Sequence, residues 1–409
     1  MAKKKATKRS TPKTRKPKRK AADKAADFVA DLEQQVADQT VESDARVKLL
    51  NKEKQRLLKR LADAQARSGI IVEQVRDILS EKNIIVNIPP TPPADRSKTK
   101  HVEIPVLCVG DIHMGYYYPN GEHAYNVDIA RDRMMRMADI FLARVRDRRT
   151  SAKIEELRLY LMGDIVEGEN MRQGHAHHIE GPLIQQALDW APNALTALLV
   201  RFLEHFRKIH VVAVPGNHGR NGPPRTDSHP STNWDRVVYQ VTRMMVENAI
   251  LHQGSNRTGA ITWNLPSDRT ERTSGDDWYA IDYVFDWCNC ILHGEDLRGK
   301  GWGGIPFYGV ERMVRRYADV VDDPLDFMFM GHIHTDAKIP SNYREVFVNG
   351  AIESSSTYAR KQLVSATIPS QSAVFYTEAN GPIGRETLHL VDRVPQGVRT
   401  VRAIKRREA

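Results

Sequence analysis

Only three of the 409 residues are cysteine: Cys108, Cys288 and Cys290. Cys108 lies in one apolar run. Cys288 and Cys290 stand two apart in another, where strand geometry puts them on one face with side chains too far apart to bridge without distortion. So few thiols exclude a disulfide framework and set the expectation of a reducing, cytoplasmic setting. Long apolar runs are missing too. None reaches the roughly 18–20 residues that a membrane-spanning helix needs. The amino-terminal stretch is basic but has no apolar core, which argues against a secretory signal. Acid is absent from residues 1–20, which hold 11 Lys or Arg. Taking these from the total of 61 leaves 50 basic against 51 acidic residues, so the excess behind the net charge of +10 sits in one tail. That tail is expected to be disordered and to attract a polyanion, nucleic acid before lipid, because no amphipathic apolar face accompanies it.

The rest of the chain divides by texture. Residues 21–82 read as helix. Leu50, Leu57 and Ala64 recur at seven-residue spacing, with Val47 and Leu61 three residues before Leu50 and Ala64. Val29, Leu32 and Val36 extend an apolar face upstream, while Lys54 interrupts the second stripe. A short coiled coil or helical hairpin fits this pattern, and so does a helix packed on the main domain. Such a segment is a candidate surface for homo-oligomerisation or a protein partner. Residues 83–100 contain Ile88-Pro89-Pro90-Thr91-Pro92-Pro93 and read as a stiff extended linker. From 101 to 395, apolar strand-like runs alternate with helical ones at Asp128–Asp147, Glu180–Lys208 and Asn233–Ile250, which predicts a layered α/β domain. Residues 396–409 form a second, short basic tail.

Within that domain one pattern repeats five times: a β-rich run stops and polar ligands begin. Ile104–Val109 is followed by Gly110-Asp111-Ile112-His113, and Leu159–Met162 by Gly163-Asp164. Ile209–Val214 leads to Gly216-Asn217-His218, Cys290–Leu292 to His293, and Phe327–Met330 to Gly331-His332-Ile333-His334. Strands that release polar groups at their carboxyl ends are how α/β folds build sites. Asp111, His113, Asp164, Asn217, His293, His332 and His334 offer carboxylate, carboxamide and imidazole, a set suited to Mn²⁺ first, with Fe or Zn²⁺ as alternatives. No cysteine joins them, which argues against a structural zinc site. Seven ligands are too many for one ion and suit two divalent ions roughly 3.5–4 Å apart.

The order Asp-x-His, Gly-Asp-x-x-Glu, Gly-Asn-His, His, Gly-His-x-His, over residues 104–335, resembles the calcineurin-like metallophosphoesterase superfamily. The resemblance implies a two-sheet β-sandwich flanked by helices, with the metals at the carboxyl edge of the strands. It implies that Asp111, His113 and His334 hold one ion, that Asn217, His293 and His332 hold the other, and that Asp164 bridges both, along with a hydroxide. It gives His218 the task of contacting the scissile phosphate or protonating the leaving oxygen, and Glu167 that of orienting His218. The chain departs from the family at Gly219, where Asp or Glu commonly follows Gly-Asn-His.

Candidate substrate contacts follow these blocks: His175, His177 and His178 near Arg172; Arg220 and Arg225; and Arg298, Lys300 and Trp302 in a Gly-rich loop. Met114-Gly115-Tyr116 is similar to an extension in the superfamily's DNA-repair exonucleases. With the basic tail, this favours a phosphodiesterase or nuclease acting on nucleic acid. The alternatives are a phosphatase or small-phosphodiester hydrolase whose tail serves localisation, and a non-catalytic nucleic-acid-binding subunit like the superfamily's polymerase small subunits.

Overall fold

In the computed structural model the chain divides into two units, residues 1–82 and 83–409. The structure describes residues 86–392 except 96–98, 120–123, 170, 172–174, 222–231, 254–255, 267, 270–274, 298–304, 322–323, 343 and 354–367. The basic tails and the helical segment 21–82 therefore lie outside the described residues, as do Arg172, Arg225, Arg298, Lys300 and Trp302.

Two sheets face each other. The first has the order β11-β10-β1-β2-β3-β4. Its middle is parallel: β1 (Ile104–Val109), β2 (Glu156–Leu161), β3 (Lys208–Ala213) and β4 (Ile261–Asn264). The strands β10 (Ser370–Thr377) and β11 (Gly381–His389) close one side antiparallel. The second sheet runs β5-β6-β7-β9-β8. Here β6 (Trp287–Leu292), β7 (Phe327–Met330) and β9 (Arg344–Val348) are parallel, with β5 (Tyr279–Val284) and β8 (Ala337–Ser341) antiparallel at the edges.

The continuous apolar runs are explained by burial on both faces. Along β1, Val106 and Cys108 enter the core between the sheets, where they meet Ile291, Phe329 and Phe347 of the second sheet. Leu107 and Val109 point the other way, into a core shared with α1 (Val127–Arg148), α2 (Ala191–Leu203) and α3 (Trp234–His252). The second sheet buries its outer face under α4 (Phe307–Val320) through Val310, Met313 and Val314. All three cysteines are buried and free. Among the described residues no helix is long and apolar enough to cross a membrane.

Local sequence sets the helix boundaries. Asn126 caps α1 by accepting from the Ile129 N–H at 2.8 Å, and Asn233 accepts from Asp235 N–H at the start of α3. Pro192 stands in the first turn of α2, which continues a helical run from Leu183, and supplies no N–H there. Just before it, Gln186–Trp190 forms a π-helical turn. The proline-rich stretch 86–95 runs against the domain. Val86 is buried, Ile88 N–H donates to Gln253 at 3.0 Å, and Arg207 donates to the Pro92 carbonyl at 2.8 Å.

Candidate metal centre

The parallel strands of both sheets release their chains toward one edge. Strands β1, β2 and β3 deliver Asp111 and His113, Asp164, and Asn217; β6 and β7 of the facing sheet deliver His293, His332 and His334. Cross-links tie the two sheets here. The backbone N–H of His332 donates to both carboxylate oxygens of Asp111 at 3.1 Å, and His293 donates Nδ1–H to the Met162 carbonyl at 2.8 Å.

Backbone geometry at this edge is unusual. Seven non-glycine residues have positive φ among the described residues, and five are Asp111, Asp164, His113, His332 and His334, with φ between 49° and 68°. The left-handed region costs a side-chain-bearing residue of order 1 kcal/mol or more, least for Asp, Asn and His. Strain gathered on the residues that converge is a sign of function. Two glycines make the convergence sterically feasible. A Cβ on Gly163 would stand 2.5 Å from the Gly216 nitrogen, and one on Gly216 would stand 2.1 Å from the Asp164 nitrogen.

The side chains form two adjoining groups. In the first, His334 Nε2 lies 3.2 Å from Asp111 Oδ1 and 3.2 Å from His113 Nε2. In the second, His293 Nε2 lies 3.0 Å from Asn217 Oδ1, 3.0 Å from Asp164 Oδ2 and 3.3 Å from His332 Nδ1. The same Asp164 oxygen is 4.0 Å from His113 Nε2, so one carboxylate faces both groups. Asp111, His113 and His334 bring their donor atoms within 4.8 Å of one another, and so do Asp164, His293 and His332. Two donors bound at about 2.0–2.1 Å to one tetrahedral ion stand about 3.3 Å apart, so these separations fit a cation in each group.

The far nitrogens fix which ring atom each histidine presents. His113 Nδ1 bonds Glu167 Oε2 at 2.8 Å, His334 Nδ1 bonds Glu353 Oε1 at 3.1 Å, and His293 Nδ1 is taken by Met162. In all three, Nε2 is left facing the centre.

Electrostatics follow from burial and crowding. Burial opposes the Asp164 charge, but the His293 and His218 imidazoles outweigh it and hold the carboxyl well below its usual range. Asp111 is lowered in the same way by His334. Burial likewise opposes the His293 imidazolium, and the Asp164 carboxylate overrides it, raising the ring to about 10. His332 goes the other way, to about 3, because burial and the His293 charge both disfavour its proton. The cluster thus holds carboxylates beside imidazoliums, a charge arrangement in which divalent cations would replace protons.

His218 borders the centre. Its backbone N–H donates to Asp164 Oδ1 at 2.7 Å, and its ring stands edge-on to His113 with centroids 4.4 Å apart. His218 Nδ1 is 2.9 Å from the Glu167 backbone carbonyl, and Glu167 Oε2 stands 3.2 Å from the same nitrogen. Burial lowers this ring's basicity, but Glu167 and Asp164 prevail and raise it to about 9.

The candidate substrate contacts separate. Arg220 pairs with Glu295, two residues past His293. His177 is exposed, whereas His175 is 1% exposed and bonds Glu167 Oε1 at 2.6 Å, so it faces inward. Of the tyrosines after the first block, Tyr116 is buried and Tyr117 exposed.

Sequence reasoning missed three supports. Glu353 follows β9 as the other acids follow β1 and β2, and the run Val346-Phe347-Val348 before Asn349-Gly350 was the available signal. Asp235 accepts the N–H groups of Ile165 at 3.0 Å, Val166 at 3.2 Å and Gly216 at 2.8 Å, joining the loops that carry Asp164 and Asn217. Gln186, in the π turn, accepts from Glu167 and Gly168 N–H at 3.1 and 3.0 Å. Neither of these last two has a signal beyond its residue type.

No family model and no curated protein matches the chain. Solved structures do. Vacuolar protein sorting 29 from Cryptosporidium parvum is 10% identical, covering 68% of this chain and 86% of its own, with a TM-score of 0.31. Vps29 from Entamoeba histolytica, complexed with zinc, is 12% identical over 70% of this chain and 99% of its own, at 0.28. A predicted phosphoesterase from Streptococcus pneumoniae is 9% identical over 72% of this chain and 95% of its own, at 0.29. Scores this low leave fold and chemistry to rest on this chain's own strands and side chains. On those, the helix-flanked pair of sheets and the order of polar strand ends are what the resemblance to the calcineurin-like metallophosphoesterases implied.

Proposed function

We propose that this protein is a dinuclear-metal phosphoesterase whose substrates are phosphodiesters of nucleic acid. The observation that carries the reading is the position of Asp164, whose Oδ2 lies 3.0 Å from one group of nitrogen ligands and 4.0 Å from the other. Asp111, His113 and His334 would hold one divalent ion, Asn217, His293 and His332 the second, and Asp164 both. Bound there, the ions neutralise phosphoryl oxygens and bring the pKa of water toward about 7. His218 is suited to the leaving group. Its side chain is 22% exposed at the rim, and the Glu167 carboxylate beside its Nδ1 favours the protonated ring against the pull of burial. Arg220, fixed by Glu295 beside His293, offers a cation at the same rim.

The support for nucleic acid lies in the sequence. Eleven Lys or Arg in residues 1–20 would give a nonspecific attraction to phosphates that weakens with salt. End-labelled DNA and RNA, incubated with Mn²⁺ beside a generic aryl phosphodiester and an aryl phosphate, test the reading. Cleavage of the polymer that is absent in Asp164→Asn is expected. Turnover of the aryl phosphate alone would replace a nuclease with a phosphatase, and turnover that survives chelation would remove the metal mechanism.

A further inference from the structure

One carboxylate in this centre serves three imidazoles. Glu167, 3% exposed, has His113 Nδ1 at 2.8 Å and His218 Nδ1 at 3.2 Å from Oε2, and His175 Nε2 at 2.6 Å from Oε1. Glu167, His175 and His218 also group as donors within 4.8 Å. A third cation is nonetheless a poor fit, because 2.6 Å is a hydrogen-bond distance and falls well short of the roughly 3.3 Å between two ligands of a tetrahedral ion. His175 uses both ring nitrogens. Nδ1 accepts from the Met171 N–H at 3.4 Å, which leaves the proton on Nε2, aimed at Glu167. The ring sits on the turn His175–His178, tied to the first ligand loop where Tyr117 N–H donates to the His178 carbonyl at 2.8 Å. Without His175, Oε1 would be a buried carboxylate oxygen lacking this donor, and the carboxylate could rotate about its last bond.

We propose that His175 is a positioning residue: by donating to Oε1 it fixes the plane of Glu167, so that Oε2, already bonded to His113, also meets His218 Nδ1 and leaves His218 Nε2 turned toward the reacting phosphate, while His113 Nε2 stays on the metal side. The catalytic part of this rests on the function proposed above; the ring geometry does not.

The test compares His175→Leu and His175→Gln in the full chain with Mn²⁺. One substrate is a 4-nitrophenyl phosphodiester, whose leaving group needs no proton. The other is a dinucleotide, whose alkoxide leaving group does. His175→Leu should lower dinucleotide turnover about 10²-fold, the scale of general acid catalysis, with metal content unchanged and the nitrophenyl rate within about threefold. His175→Gln, which keeps an N–H donor, should recover most of the loss. Equal losses on both esters, or loss of metal with activity, would overturn the proposal. Ring-nitrogen NMR of the zinc-loaded protein decides it whatever is hydrolysed or fails to fold. In the wild type His218 should carry a proton on Nδ1, and His175 should be neutral with its proton on Nε2. A bare Nδ1 on His218 or a proton on His175 Nδ1 refutes the positioning role, whereas a wild type with these protons in place that cleaves neither ester refutes the proposed function instead.

Discussion

Asp235 makes a claim about this centre that can be measured without a substrate. Its carboxyl is fully buried and joins the loops bearing Asp164 and Asn217. Burial, then the nearby Asp164 charge, pushes it up from 3.8 to about 6. A carboxyl raised on folding favours the native state while protonated and loses that advantage as pH climbs through the native value. Below 3.8 folded and unfolded chains both hold the proton. Between 3.8 and 6 the unfolded chain has released it and the folded chain has not, so stability falls by about 1.36 kcal/mol per pH unit, about 3 kcal/mol in all. Asp235→Asn removes that titration and approximates the protonated acid in shape. The two proteins should therefore unfold within about 1 kcal/mol of each other at pH 4, while at pH 7 the chelated variant should be more stable by about 3 kcal/mol. Urea unfolding of both at pH 4, 5, 6 and 7 reads the difference and cancels every other titrating group. A difference flat with pH would refute the reasoning. So would a wild type that gains on the variant as pH rises, since that would mean the three backbone N–H groups keep the carboxylate charged at low pH. Saturating metal should flatten the slope, because cations beside Asp164 remove the repulsion that contributes to the shift.

Other expectations concern the same residues. Gly216→Ala would set a methyl 2.1 Å from the Asp164 nitrogen and 2.2 Å from its Oδ1, so it should weaken metal affinity at least tenfold, read by metal titration; unchanged affinity would show that the loops yield easily. His218→Ala should cut turnover of poor leaving groups roughly 10²–10⁴-fold with metal content intact, measured by rate beside elemental analysis; metal lost in parallel would make His218 structural. Chelation should abolish turnover and Mn²⁺ restore it. Removing residues 1–20 should flatten the salt dependence of DNA binding and leave small-ester rates alone, and an unchanged slope would show that the tail binds something else.

How far the sequence carried depends on what each residue must do. Asp111, Asp164, Asn217, His293, His332 and His334 were legible because each interrupts a buried apolar strand at its carboxyl end, where a polar residue is hard to account for otherwise. The strands they follow were legible for the same reason: burial on both faces removes polar alternation from their carboxyl-terminal halves. Strands β4, β5 and β8 were not anticipated, because Thr262 and Asn264, Asp282, and Lys338 and Pro340 put polar or ladder-breaking residues where an edge tolerates them. The proline-rich stretch has the composition of a spacer, yet its bare carbonyls at Val86 and Pro92 are the acceptors for Gln253 and Arg207, side chains more than 100 positions away. His175 and His177 show the limit most clearly. They differ by two positions in a run of similar residues, and a single 3₁₀ turn sends one to Glu167 and the other to solvent. Composition identifies the atoms that could meet at this edge. Their meeting depends on five residues held at positive φ, a conformation no short stretch adopts by preference. The glycine contact between Gly163 and Gly216, the bonds from Asp235 to three loop amides and the far-nitrogen bonds at Glu167 and Glu353 together must supply what that backbone costs. The bonds from Asp235, Glu167 and Glu353 span 19 to 70 positions of the sequence, so the site is a property of the closed pair of sheets rather than of any one motif.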